Sequence, residues 1–137
     1  MNEESKSVIL DIFNEVISHT PYGLTEEIYE KAFCMECDLR DIKYHQQEKY
    51  PVWFKNRFLT QIIPDLILKL DFENPIIVEF KIATKPREKK QILKYLDATR
   101  AEELLLINFE TKELIIKTKT FDEDGKPDLK DEPIERS

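Results

Sequence analysis

Cysteine is scarce in this sequence, with Cys34 and Cys37 the only two among 137 residues. Two thiols exclude a four-thiolate iron–sulfur cluster. The pair lies three residues apart inside an amphipathic helical pattern, without a second pair, which favours helix packing over zinc binding. Histidine is equally rare, and His19 and His45 are not spaced to complete a metal site with them. No apolar run reaches membrane-spanning length, and the N-terminal MNEESKSVIL has acids where a signal peptide needs bases. The expectation is an intracellular protein with reduced thiols and no membrane partner.

Positive charge is also in deficit. The formal net charge is -7, which by itself argues against a phosphate-rich partner. The deficit is uneven, because residues 122–137 hold seven acids against three bases and so account for more than half of it. Lys85, Arg87, Lys89, Lys90 and Lys94 crowd one segment together with Lys81, and Glu88 is the only acid among them. These are candidate phosphate contacts, with a solvated helix face as the alternative. Length allows one domain with one core, placed at 1–121, followed by an acidic tail at 122–137 that has no apolar period and reads as disordered.

Along the chain, Asn2 or Ser5 can cap a first helix with a stripe of Val8, Ile9, Ile12, Phe13, Val16 and Ile17, ended by Thr20-Pro21-Tyr22-Gly23. A second helix is predicted from about Leu24 to Leu39. Ile28, Ala32, Met35 and Leu39 fall on one side, and Glu26, Tyr29, Glu30 and Phe33 on an adjoining one. Strands follow at Lys49–Phe54 and Phe58–Leu70, joined by the polar turn Lys55-Asn56-Arg57. Pro64 cannot donate to a ladder, so it marks an edge, a bulge or a place where the sheet splays. Asp71 to Pro75 turns into a strand at Ile76–Lys81, and Pro86 opens a helix to about Ala98. Glu103–Phe109 reads as a strand buried on both faces. Its strand–helix–strand order places it parallel to the Ile76–Lys81 strand, and Leu114–Thr120 returns as a hairpin.

The chemistry concentrates between Asp65 and Lys81. Asp65 is the only acid in the run FLTQIIPDLILKL, and a buried acid is costly unless it is paired or binds a cation. Glu79 lies fourteen residues later in PIIVEFK. Side chains alternate across a strand, so Glu79 and Lys81 share one face while Ile76, Val78 and Phe80 take the other. If the two strands form a hairpin, their carboxylates converge where a divalent metal can bind. Two carboxylates and a lysine are what metal-assisted phosphodiester cleavage requires.

Pro64-Asp65 followed by Glu79-Phe80-Lys81 resembles the PD-(D/E)XK nuclease superfamily. Gly23, Glu26 and Tyr29 fit the GxxExxY signature of one branch, Gln47 and Pro51-Val52 lead into the first strand, Gln91 and Tyr95 form a QxxxY helix motif, and Leu106 to Phe109 looks like the closing LINF strand. The resemblance implies an α/β, restriction-endonuclease-like core. Its central mixed sheet would have four to five strands in the order α-α-β-β-β-α-β-β. It also implies a Mg2+- or Mn2+-dependent nuclease with Asp65, Glu79, the Phe80 carbonyl and Glu26 on the metal. Lys81 would act on water and phosphate, supported by Gln91 and Tyr95. DNA is the favoured substrate, and the QxxxY helix looks like that of RecB-like exonucleases. The chain departs from the pattern in carrying Ile63-Pro64 where members often have an arginine, and Glu88 where they often have a histidine. A nuclease-like fold that binds nucleic acid or protein without cutting is the alternative, and a homodimer is left open.

Overall fold

The computed structural model describes residues 1–70, 75–81 and 88–136. The expected turn over 71–74 and the helix-opening Pro86 lie outside them. Helix α1 (Glu3–His19) is capped by Asn2, whose side chain accepts from the Ser5 N–H at 2.7 Å. Helix α2 (Glu26–Leu39) is capped by Thr25 and opens on two acids, Glu26 and Glu27, which suit the positive end of the helix. Five strands come next: β1 (Lys43–Gln46), β2 (Tyr50–Phe54), β3 (Arg57–Ile62), β4 (Leu66–Lys69) and β5 (Ile76–Lys81). Helix α3 (Glu88–Thr99) then leads to β6 (Glu103–Asn108), β7 (Glu113–Phe121) and β8 (Pro127–Pro133).

The sheet is mixed and six-stranded, ordered β1-β4-β5-β6-β7-β8, and only β5 and β6 run parallel. The α/β class and the parallel pair agree with the sequence. Alternation splits the core in two. Leu66, Leu68, Ile76, Val78 and Phe80 pack under α1 and α2, while Ile67, Ile77, Leu104 and Leu106 pack under Ile92 and Leu96 of α3. Parity therefore puts Glu79 and Lys81 on the α3 side. Phe109, just past β6, stacks on Phe13 of α1, Tyr29 of α2 and Phe80 of β5, with ring centroids 5.2, 4.6 and 5.9 Å apart. That cluster fixes both helices against the strand carrying Glu79. The Tyr29 hydroxyl donates to the Pro21 carbonyl at 3.1 Å, which holds the entry to α2.

The structure differs from what the sequence suggested, or adds to it, in four places. The predicted Phe58–Leu70 strand is two strands: β3 pairs only with β2 in a separate two-stranded sheet, and the chain crosses at Ile63-Pro64-Asp65 to begin β4. Pro64, buried there and without an N–H, makes the break. Strand β1, polar and mostly exposed, carries no alternation to read. Helix α2 buries Tyr29, Phe33, Cys34 and Cys37 and leaves Ile28, Met35 and Leu39 exposed. The tail, finally, is ordered: β8 pairs with β7 from Phe121↔Pro127 to Ile115↔Pro133. A turn whose Asp122 carboxylate accepts from the Asp124 and Lys126 N–H groups, with Gly125 at φ 77, starts it. An edge strand needs backbone pairing and little apolar surface, so its charged residues conceal it.

Both cysteines are buried and free, and burial pushes each thiol up to about 12, as helix packing requires of an inert thiol. Among the described residues, no helix is long and apolar enough to cross a membrane.

Candidate active site

The break at Pro64 sets Asp65 at the start of β4, beside the end of β5. Asp65 Oδ2 accepts from the Phe80 N–H at 2.9 Å, and the Asp65 N–H donates to Glu79 Oε1 at 3.4 Å. Each acid is thus held by the other's strand. Their side chains also share a hydrogen bond, and Glu79, only 3% exposed, is pushed up to about 9 by burial first and then by the Asp65 carboxylate. Lys81, half-buried two residues on, acts in the opposite sense on Glu79.

Helix α3 supplies the roof. Gln91 Nε2 donates to the Tyr95 hydroxyl at 3.3 Å, joining the two motif residues one turn apart. Burial raises the Tyr95 phenol, and the charges of Glu79 and Asp65 raise it further. The opposite wall comes from α2. Glu30 is pushed up to about 7 by burial and then by Asp65, and Gln46 Nε2 donates to its Oε1 at 3.5 Å. Glu26, one turn earlier on the same helix face and half-exposed, adds to the field on Glu30.

The profile of the PD-(D/E)XK nuclease superfamily matches residues 3–120. The chain belongs to this superfamily. Nuclease action on nucleic acid is what the superfamily implies, and its members typically use divalent metals. No curated protein and no solved structure matches the chain significantly.

The structure brings Asp65, Glu79, Lys81, Gln91 and Tyr95 to one end of the main sheet. Glu30 is the acid that the motifs leave out, although its i, i+4 spacing from Glu26 is the signal that could have found it. The cationic segment is less coherent. Lys85 and Arg87 lie outside the described residues, as does the side chain of Glu88. Lys89 pairs with Asp128 of β8 at 2.7 Å, and Lys90 and Lys94 are exposed. Part of that positive charge is therefore answered by the strand that was expected to be a loose tail.

The donor set suits a hard divalent cation. A buried acid that shares a proton with a second carboxylate can exchange that proton for a metal ion. Among the described residues no three of His, Cys, Asp and Glu cluster as a ready-made metal cage. A two-carboxylate site that leaves positions for water is what magnesium favours. A cavity of about 640 Å3 lies elsewhere, at the start of β5, lined by Met1, Ile76, Arg100 and Glu103, and takes no part in this arrangement.

Proposed function

We propose that this chain is a Mg2+- or Mn2+-dependent nuclease that hydrolyses phosphodiester bonds of DNA. The observation supporting this is the Asp65–Glu79 pair, two carboxyl groups in hydrogen-bond contact at the end of a buried strand, with Lys81 on the same face. Asp65, Glu79 and the Phe80 carbonyl would hold the metal, with the α2 acids Glu26 and Glu30 completing the negative wall. A divalent cation there supplies positive charge against the phosphate oxygens and lowers the pKa of water.

Lys81 then orients the attacking water and stabilises negative charge growing on the phosphate oxygens. The Gln91–Tyr95 pair positions Lys81 and donates to a non-bridging phosphate oxygen. Gly23, Glu26 and Tyr29 support placement in the GxxExxY branch, and the QxxxY helix supports a RecB-like enzyme that works from DNA ends.

The test incubates wild type, Asp65→Ala and Lys81→Ala with mixed DNA substrates and manganese, alongside metal-binding calorimetry. Lys81→Ala should lose most turnover and keep metal binding, whereas Asp65→Ala should lose both. Wild type that binds DNA but cuts no substrate would transfer the assignment to a non-catalytic binding module.

A further inference from the structure

The β2–β3 hairpin carries exposed chemistry that the catalytic site does not use. Among the described residues it pairs with no strand of the main sheet. Its base is anchored, with Tyr50 against the α3-side core and Ile62 buried, but its tip is not. Trp53, Phe54 and Phe58 are 59%, 56% and 57% exposed. Large aromatic side chains left in water at this density mark a surface that binds something.

The backbone explains how they are displayed. Lys55 and Asn56 both have positive φ, 45° and 65°, which is the tight type I′ turn whose twist suits a two-residue hairpin. The register jumps from Val52↔Thr60 to Trp53↔Phe58, so Leu59 is an extra residue bulged out of the pairing. The jump puts Trp53 and Phe58 opposite one another, ring edge to ring face at 5.9 Å. Lys55 lies 5.5 Å from the Phe54 ring.

Charge identifies the partner. From Lys49 to Pro64 there are three cations, Lys49, Lys55 and Arg57, and no acid, in a chain whose net charge is -7. Exposed rings beside cations complement bases beside phosphates, and the ring faces can stack only on bases that a duplex does not already stack. The hairpin also runs through Ile63 and Pro64 directly into Asp65. A strand lying on the tip would continue toward the acid pair.

We propose that the β2–β3 hairpin is a stacking platform for unpaired bases, which makes the preferred substrate a nucleic acid with a single-stranded segment next to the cut. This rests on the nuclease reading above.

Trp53 is the only tryptophan, so the chain carries its own reporter. In EDTA, where nothing is cut, titration with a dT 20-mer should quench Trp53 emission, and labelled dT 20-mer should bind more tightly than a duplex of equal length. Trp53→Ala and Phe58→Ala should each weaken dT binding about 10-fold with unchanged thermal melts, and Trp53→Phe should restore most of it. Equal binding by wild type and the alanine variants, or no binding of dT, would overturn the proposal. So would Trp53 emission that varies with protein concentration but not with dT, which would show that the rings face a second copy. Binding is read without metal, so the two readings separate. Manganese-dependent cleavage of a substrate with a single-stranded segment next to the cut, if indifferent to Trp53→Ala, removes the platform and keeps the nuclease, and quenching without any cleavage does the reverse.

Discussion

Replacing Glu79 by glutamine should stabilise the metal-free protein, and the size of the gain should depend on pH. An unfolded glutamate titrates at about 4.3. Folded Glu79 is pushed up to about 9. Between those values the folded chain holds a proton that the unfolded chain has lost. Stability therefore falls as pH rises through this window, by about 1.4 kcal/mol per unit, and falls no further above it. Near pH 7.5 roughly three units have been traversed, a deficit of about 4 kcal/mol relative to mildly acidic solution. A glutamine side chain at this position would never ionise. Its amide nitrogen can donate to Asp65 as the protonated acid does, and its oxygen can keep the 3.4 Å bond from the Asp65 N–H. At about 3 °C per kcal/mol, Glu79→Gln should melt about 10 °C higher than wild type near pH 7.5 and at the same temperature near pH 4.5. The assay is thermal melting in EDTA across that range, where other titrating groups cancel in the difference. A gap that does not change with pH, or a variant less stable than wild type near neutrality, would refute the assignment of the shared proton. Adding magnesium should close the gap from the wild-type side only.

Because metal must displace that proton, magnesium affinity should rise about tenfold per pH unit below about 9, with close to one proton released per ion; calorimetry in buffers of different ionisation enthalpy counts it, and no release would contradict the two-carboxylate site. Glu30, pushed up to about 7 by burial and then by Asp65, has the same sign as Glu79, so Glu30→Gln should stabilise the metal-free protein more near pH 8 than near pH 5. Metal affinity measured for Glu30→Gln beside Glu26→Gln shows which α2 acid matters more, and no effect from either would remove α2 from the site. Deleting residues 126–137 should lower the melting temperature by at least about 5 °C, because it removes the β7–β8 ladder, the Lys6–Glu132 and Lys117–Asp131 ion pairs and the packing of Ile134 on the main core. An unchanged melt would mean that β8 contributes nothing.

Much of the candidate site's geometry was legible because its motifs sit on regular elements. Period-2 alternation in IIVEFK fixed the shared face of Glu79 and Lys81, and the four-residue spacing of Gln91 and Tyr95 fixed their contact. Pro64 signalled that the sheet would splay, but not that the chain changes sheets there. Two of the other misses share a cause. Strands β1 and β8 lie at the two ends of the main sheet, where pairing is by backbone and side chains face water, so no apolar period records them. The inward face of α2 was ambiguous because Met35 and Leu39 are as apolar as Phe33 and Cys37, and only tertiary packing chose between the two sides.

Those polar end strands also govern how the protein behaves in a crowd. The interior strands IIVEFK and ELLLIN would be ready templates for another chain if either lay at an edge, and Leu114-Ile115-Ile116 of β7 would be nearly as good. As built, one edge is KYHQ and the other is PDLKDEP, with charges along the unpaired rim. A nascent chain that has not yet added β8 exposes β7 instead. The β8 residues are thus the ones that withdraw this edge of the sheet from aggregation, and a product truncated before them should precipitate well before it loses its fold.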